Sequence, residues 1–145
     1  GLILDGKLID FNDKESPKRS WELLFPSGDS IESFLSPSGI IKKYNNLTKS
    51  NVKTLHEILN FSDYQDIFEN SVKAFLFLVR DRINFFQQKN KIIEKIIIGQ
   101  RLGEFLSKNE KNLGDLFKNS TDIEVEFSSD RRTAALGVAW KLVCS

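Results

Sequence analysis

The sequence of 145 residues has only one cysteine, one histidine and three prolines, and it has no methionine. The single cysteine, Cys144, has no partner for an internal disulfide bond. A protein zinc site usually takes four ligands, mostly cysteine and histidine, and His56 has no second histidine to help it complete such a site. We therefore expect neither a disulfide nor a metal centre.

Several catalytic motifs are also missing. No Gly-x-x-x-x-Gly-Lys-Ser/Thr segment occurs, and no Gly-x-Gly-x-x-Gly segment follows an apolar run, so a P-loop or a Rossmann site is not indicated. Ser27, Ser33, Ser36 and Ser38 have no histidine near them in the sequence. The pattern therefore does not favour a hydrolase with a serine nucleophile.

The chain has little net charge and no long apolar run. Its 21 basic and 20 acidic residues leave a net charge of +1, which gives no field to attract nucleic acid. No apolar segment approaches the ~20 residues that span a bilayer, and no signal peptide is recognisable. We therefore expect a cytoplasmic protein with no nucleic-acid or membrane partner. The start at Gly1 without an initiator methionine indicates a piece of a longer protein.

The central stretch has the strongest pattern. We predict a helix over Ser62–Lys89 that begins with a Ser62–Gln65 capping box. A β-branched run, Lys95–Ile98, predicts a strand buried on both faces, and Gly99 marks the turn into a further helix. This order is typical of a single α/β domain over residues 1–145. The apolar positions of the first helix are Tyr64, Phe68, Val72, Phe75, Leu76, Val79, Ile83 and Phe86.

Shorter elements surround this stretch. Asp5-Gly6 between two apolar runs predicts a hairpin with a type I′ turn. Alternating residues at 123–127 predict a strand with one wet face. The other predictions are a third strand at 21–25, short helices around Ile31, Ile40 and Leu116, a helix over Val52–Leu59, and a closing helix over Arg132–Val143.

Four segments of the sequence together resemble one known domain. They are the hairpin Gly1–Leu8, the segment Ile31–Tyr44 with its Leu-Ser-Pro-Ser-Gly turn, the helix and strand of Ser62–Gly99, and Asp130–Ala139. In this order they are similar to the C-terminal domain of sugar kinases of the glucokinase and ROK group, within the actin-like ATPase superfamily.

The resemblance implies a fold, ligands and site residues. It implies an actin-like, ribonuclease-H-like α/β domain, in which a mixed sheet has helices on its faces. This domain would be one lobe of a two-lobe kinase. Glu32 would contact the sugar, and Gly99, with Gln100 in place of a second glycine, would contact the nucleotide of ATP-magnesium. Catalytic groups would come from the N-terminal lobe, and a homodimer is possible. Alternatively, Glu32 is a surface residue favoured by a helix dipole.

The chain also departs from that family. The phosphate-binding segments and the catalytic aspartate would precede Gly1, and the zinc-binding cysteine cluster of many ROK proteins is absent. The family's Glu-x-Gly-His motif is not recognisable in residues 10–30, where Glu15 and Glu22 are the candidates for its glutamate. Two alternatives therefore stay open: a non-catalytic binding or regulatory module that retains the actin-like fold, and an unrelated α/β protein.

Overall fold

The computed structural model describes residues 1–129. The predicted helix Arg132–Val143, the Asp130–Ala139 segment and Cys144 lie outside the described residues. The strands are β1 (Ile3–Leu4), β2 (Lys7–Leu8), β3 (Lys95–Ile98) and β4 (Glu124–Phe127). The helices are α1 (Glu32–Leu35), α2 (Pro37–Thr48), α3 (Leu55–Ile58), α4 (Tyr64–Gln88), α5 (Gln100–Lys108) and α6 (Asp115–Lys118), with a π-helical turn at Glu110–Gly114.

Helix α4 is the element on which the rest packs. It contacts α1, α2 and α6, and its predicted apolar stripe lies inward. The predicted capping box is wrong, because Asp63, not Ser62, occupies the N-cap position. The turn before the helix, in which the Tyr64 amide donates to the Phe61 carbonyl, leaves Ser62 outside the helix. No helix within residues 1–129 is long and apolar enough to cross a membrane.

Two clusters of apolar side chains form the interior. The larger one joins α2, α3, α4, α5, α6 and β4, and it contains a stacked pair, Phe68 and Phe105, with ring centroids 5.8 Å apart. The smaller one joins residues 23–31 to α4 through Leu23, Ile31 and Ala74. The fully buried side chains of the larger cluster include Tyr44, Phe68, Ile40, Ile58, Leu106, Leu113 and Phe117.

The strands form two separate pairs. β1 and β2 form the predicted hairpin, in which Asp5 and Gly6 have φ angles of 50° and 74°. β3 and β4 are parallel, with Lys95 opposite Glu124 and Ile98 opposite Phe127. The α/β class is therefore confirmed, whereas the described residues do not join these pairs into one mixed sheet.

The predicted strand at 21–25 is wrong. Only an isolated bridge between Leu24 and Ser30 forms there. The chain reverses at once, because the Phe25 amide donates to the Asp29 carbonyl and Gly28 adopts a φ of 86°. A tight reversal leaves no room for a longer ladder within these residues.

Strand β3 is not buried on both faces as predicted. Ile96 and Ile98 pack inward, whereas the Ile97 side chain is 56% exposed. Helices among the described residues cover only the inner face, and the outer face carries Glu124 and Glu126 of β4. The β-branched run correctly predicts a strand. Burial of both faces also requires helices on both sides of the strand, which the run itself does not specify.

Candidate functional site

The turn between β3 and α5 is the first candidate site. The chain leaves β3, passes through α5 and α6, and returns as the parallel strand β4, so the four elements form a β-α-β unit. Gly99 is the N-cap residue of α5, and the turn lies at the carboxyl ends of both strands. In open α/β sheets, ligands bind at this end.

Gly103 lets α5 approach the strand ends closely. A Cβ atom at residue 103 would lie 2.1 Å from the carbonyl oxygen of Ile98 and 2.8 Å from that of Ser128. The two strand ends are themselves joined, since the Ser128 amide donates to the Ile98 carbonyl over 2.9 Å. Only glycine fits at residue 103 without displacing backbone, so the first turn of α5 is held directly against the sheet.

Gln100 has an unusual backbone conformation. Its φ angle is 55°, a left-handed value that is uncommon for residues other than glycine, asparagine and aspartate. No side chain of the described chain caps the start of α5. The amides of a helix's first turn lack intrahelical partners, and they can donate to an anionic or polar ligand.

Glu32 is the second candidate. It begins α1, and its amide donates to the Ser20 carbonyl over 3.2 Å. Its half-buried side chain makes no hydrogen bond or ion pair with the residues that the structure describes. The two alternative glutamates differ in this respect: Glu22 accepts from the Arg19 amide, and Glu15 pairs with Lys89. Glu32 therefore has the carboxylate that is available to accept from a ligand.

The two candidates lie in different parts of the fold. α1 packs against α2 and α4, whereas α5 packs against β3 and β4. No hydrogen bond or ion pair joins Glu32 to Gly99 or Gln100. Two surface clefts also lie elsewhere, one beside Ile92 and Ile93 and the other beside the hairpin.

His56 is an exposed residue of α3. Its ring lies edge-on to the ring of Phe105, with centroids 5.1 Å apart. Within residues 1–129, no three histidine, cysteine or carboxylate side chains lie together in a way that could hold a metal ion. His56 therefore packs through its ring against Phe105, on the outside of the larger cluster.

Sequence reasoning missed the outer surface of β3. Lys95 forms ion pairs with Glu126 and Glu124, over 2.8 Å and 3.3 Å. The hydrogen bond to Glu126, then that to Glu124, raises the pKa of Lys95. The only sequence signal was the alternation of Glu124 and Glu126, which identifies Lys95 as their partner once the strand register is known.

Comparisons with known proteins identify no relative. The chain matches no known protein family, no curated protein and no solved structure.

Proposed function

We propose that this chain is the C-terminal lobe of an ATP-dependent sugar kinase, or of a degenerate relative, with an actin-like fold. A sugar and ATP-magnesium bind between this lobe and the N-terminal lobe of the same cytoplasmic protein. This lobe provides sugar and nucleotide contacts through Glu32, Gly99 and Gln100, and it does not catalyse phosphoryl transfer alone.

The backbone of Gln100 carries this proposal. In the family that the sequence resembles, a glycine pair follows the strand and contacts adenosine, and Gln100 stands in place of its second glycine. A φ of 55° is a conformation that glycine adopts without steric cost. The second position of the turn therefore has a backbone conformation that suits glycine although the residue is glutamine, whereas Gly99 is extended.

The described residues have limited chemical roles in this proposal. The first-turn amides of α5 donate to the nucleotide, and the unpaired carboxylate of Glu32 accepts from sugar hydroxyl groups. Phosphoryl transfer also needs a base for the sugar hydroxyl and positive charge on the phosphates. The N-terminal lobe, with magnesium, provides these groups.

The experiment is an assay of ADP release by the full-length parent protein, with magnesium-ATP and a panel of hexoses and N-acetylhexosamines. We expect sugar-dependent turnover, and we expect Glu32→Gln to lower kcat/KM by about 10- to 100-fold because a hydrogen bond to a charged acceptor is lost. Glu69→Gln is the matched control, since Glu69 is an exposed residue of α4 and is not a candidate sugar ligand. Equal losses in both variants would contradict the role of Glu32.

One observation favours a second candidate, a non-catalytic binding or regulatory module that retains the actin-like fold. The outer edge of β3 is unpaired within residues 1–129, and the Ile97 side chain on this strand is exposed. Such a surface suits a macromolecular partner. A folded parent protein that turns over no sugar in the panel would favour this module.

A further inference from the structure

The backbone groups on the outer edge of β3 have no partner in the part of the chain that the structure describes. β4 is the only strand there that pairs with β3. The Ile98 carbonyl accepts from the amide of Ser128, the residue that follows β4, so Ile98 faces β4. In a parallel ladder, alternate residues direct both their N–H and C=O groups to the same neighbour. Ile97 therefore directs its N–H and C=O groups away from β4.

The usual protection of a strand edge is weakened here. Natural edge strands often carry a lysine whose free charge disfavours pairing with another chain. Lys95 is the lysine of this strand, but its ammonium group is held by Glu124 and Glu126 of β4. The next side chain on the same face is that of Ile97, which is apolar and 56% exposed. The edge thus combines unpaired backbone groups with an exposed apolar side chain.

We propose that the occupant of this edge is a second copy of the chain, whose β3 pairs antiparallel with the first around a twofold axis at Ile97. The two Ile97 residues then exchange both of their N–H···O=C bonds, as in a hydrogen-bonded antiparallel pair. The two pairs of strands become one four-stranded sheet in the order β4-β3-β3-β4.

Side-chain charges fit this twofold arrangement. With Ile97 opposite Ile97 of the second copy, each Lys95 lies opposite Gly99, which has no side chain. The two Ile97 side chains lie on the same face and contact each other, and no lysine or glutamate faces a like charge directly across the new pair. A four-residue edge buries little area, so we expect a weak, concentration-dependent dimer. This interface does not depend on the proposed kinase function.

Sedimentation equilibrium of the 145-residue chain from about 10 µM to about 1 mM tests the proposal, because small interfaces are populated in this range. We expect the chain to dimerise and Ile97→Lys to weaken the dimer by at least about tenfold, since two lysines then face each other. Leu47→Lys is the matched control: Leu47 lies on α2, is 78% exposed, and receives the same charge. A chain that stays monomeric, or equal effects of both variants, would overturn the proposal.

The register has its own test. Facing Cα atoms in a hydrogen-bonded antiparallel pair are about 5.5 Å apart, within disulfide range. In a Cys144→Ser background, Ile97→Cys should form a disulfide-linked dimer under mild oxidation faster than Ile92→Cys, which is 80% exposed outside the strand. Equal rates would overturn the twofold register.

Amide hydrogen exchange distinguishes other occupants of the edge. We expect the Ile97 amide to exchange quickly in dilute, monomeric protein and to become protected as the concentration rises. Protection in the monomer would show that another segment of the same chain pairs with β3, which would overturn the proposal.

Discussion

The two candidate sites differ in how they are supported. Glu32 lies on a four-residue helix without a buried residue, next to the small cluster of Leu23, Ile31 and Ala74. Gly99 and Gln100 begin a nine-residue helix whose inner face is part of the large cluster. The comparison indicates that the turn at Gly99 and Gln100 is the more rigid of the two, because the helix that follows it has more buried side chains and contacts the strand ends closely. The position of Glu32 depends on the packing of α1 against α2 and α4, to which α1 itself contributes no fully buried side chain.

The largest effect is expected in the large cluster. Phe117→Ala removes a fully buried ring that contacts Phe75, with centroids 5.5 Å apart. We expect a loss of about 3–5 kcal/mol in the free energy of unfolding, from lost burial and the cavity left behind. Urea unfolding measures it. Leu47→Ala, at an exposed position, should change stability by less than about 0.5 kcal/mol. Similar losses would contradict the assignment of the core.

Gly103→Ala should disturb the turn between β3 and α5 directly. Its Cβ atom would overlap the Ile98 carbonyl oxygen, so we expect α5 to shift at a cost of about 3 kcal/mol. Arg101→Ala, on the exposed face of the same helix, is the control and should be close to neutral. Thermal unfolding and ATP binding by calorimetry measure both variants. A fully stable Gly103→Ala protein would show that α5 is not held against the strand ends.

Ile31→Ala tests the smaller cluster. Ile31 is fully buried, but its cluster is small. We therefore expect the free energy of unfolding to fall by about 2–3 kcal/mol, at the low end of the range for truncation of a buried isoleucine. Because Ile31 precedes Glu32, sugar-dependent turnover of the parent protein should fall while ATP affinity is retained. Loss of both together would contradict the independence of the two sites.

Gln100→Gly examines the strained turn. Relief of the left-handed conformation, about 1 kcal/mol, should offset the greater freedom that glycine gives the unfolded chain. The variant should therefore unfold within about 0.5 kcal/mol of the unchanged chain. Arg101→Gly is the matched control. It should lower the free energy of unfolding by about 1 kcal/mol, because residue 101 lies inside the helix. Equal losses in urea unfolding would contradict the φ of Gln100.

The smallest effect is expected from acid titration of exposed carboxylates. The hydrogen bond from Lys95 lowers the pKa of Glu126 below its ordinary 4.5, and that from Lys43 lowers the pKa of Asp29 below 3.8. A carboxyl with a lowered folded-state pKa stabilises the fold above its unfolded pKa, and this contribution is lost as the pH falls through the folded value. Glu126→Gln and Asp29→Asn should therefore each flatten the decline of stability between about pH 5 and about pH 3. Added salt should reduce both effects, because it screens exposed charges. If the decline of stability at acid pH is the same in the variants as in the unchanged chain, these ion pairs do not persist in solution.

Local chemistry explains the predictions that succeeded. Asp5-Gly6 forms its turn because these two residues tolerate positive φ angles, and that preference needs no distant contact. The helical spacing around Phe68 and the alternation at Val125 likewise identified a helix and a strand with the correct inward residues. By contrast, the Ser62 cap failed because the turn after Phe61 moved the first helical residue to Tyr64.

The sequence by itself determined the α/β class, the long helix α4, the hairpin and the identity of the candidate residues Glu32, Gly99 and Gln100. Only the tertiary structure decided that Ile97 is exposed, that Lys95 forms ion pairs with Glu124 and Glu126, and that the Glu32 carboxylate has no hydrogen-bond or ion-pair partner among residues 1–129. The reason is physical: turn and helix preferences act between near neighbours, whereas burial and charge pairing depend on which distant segments meet.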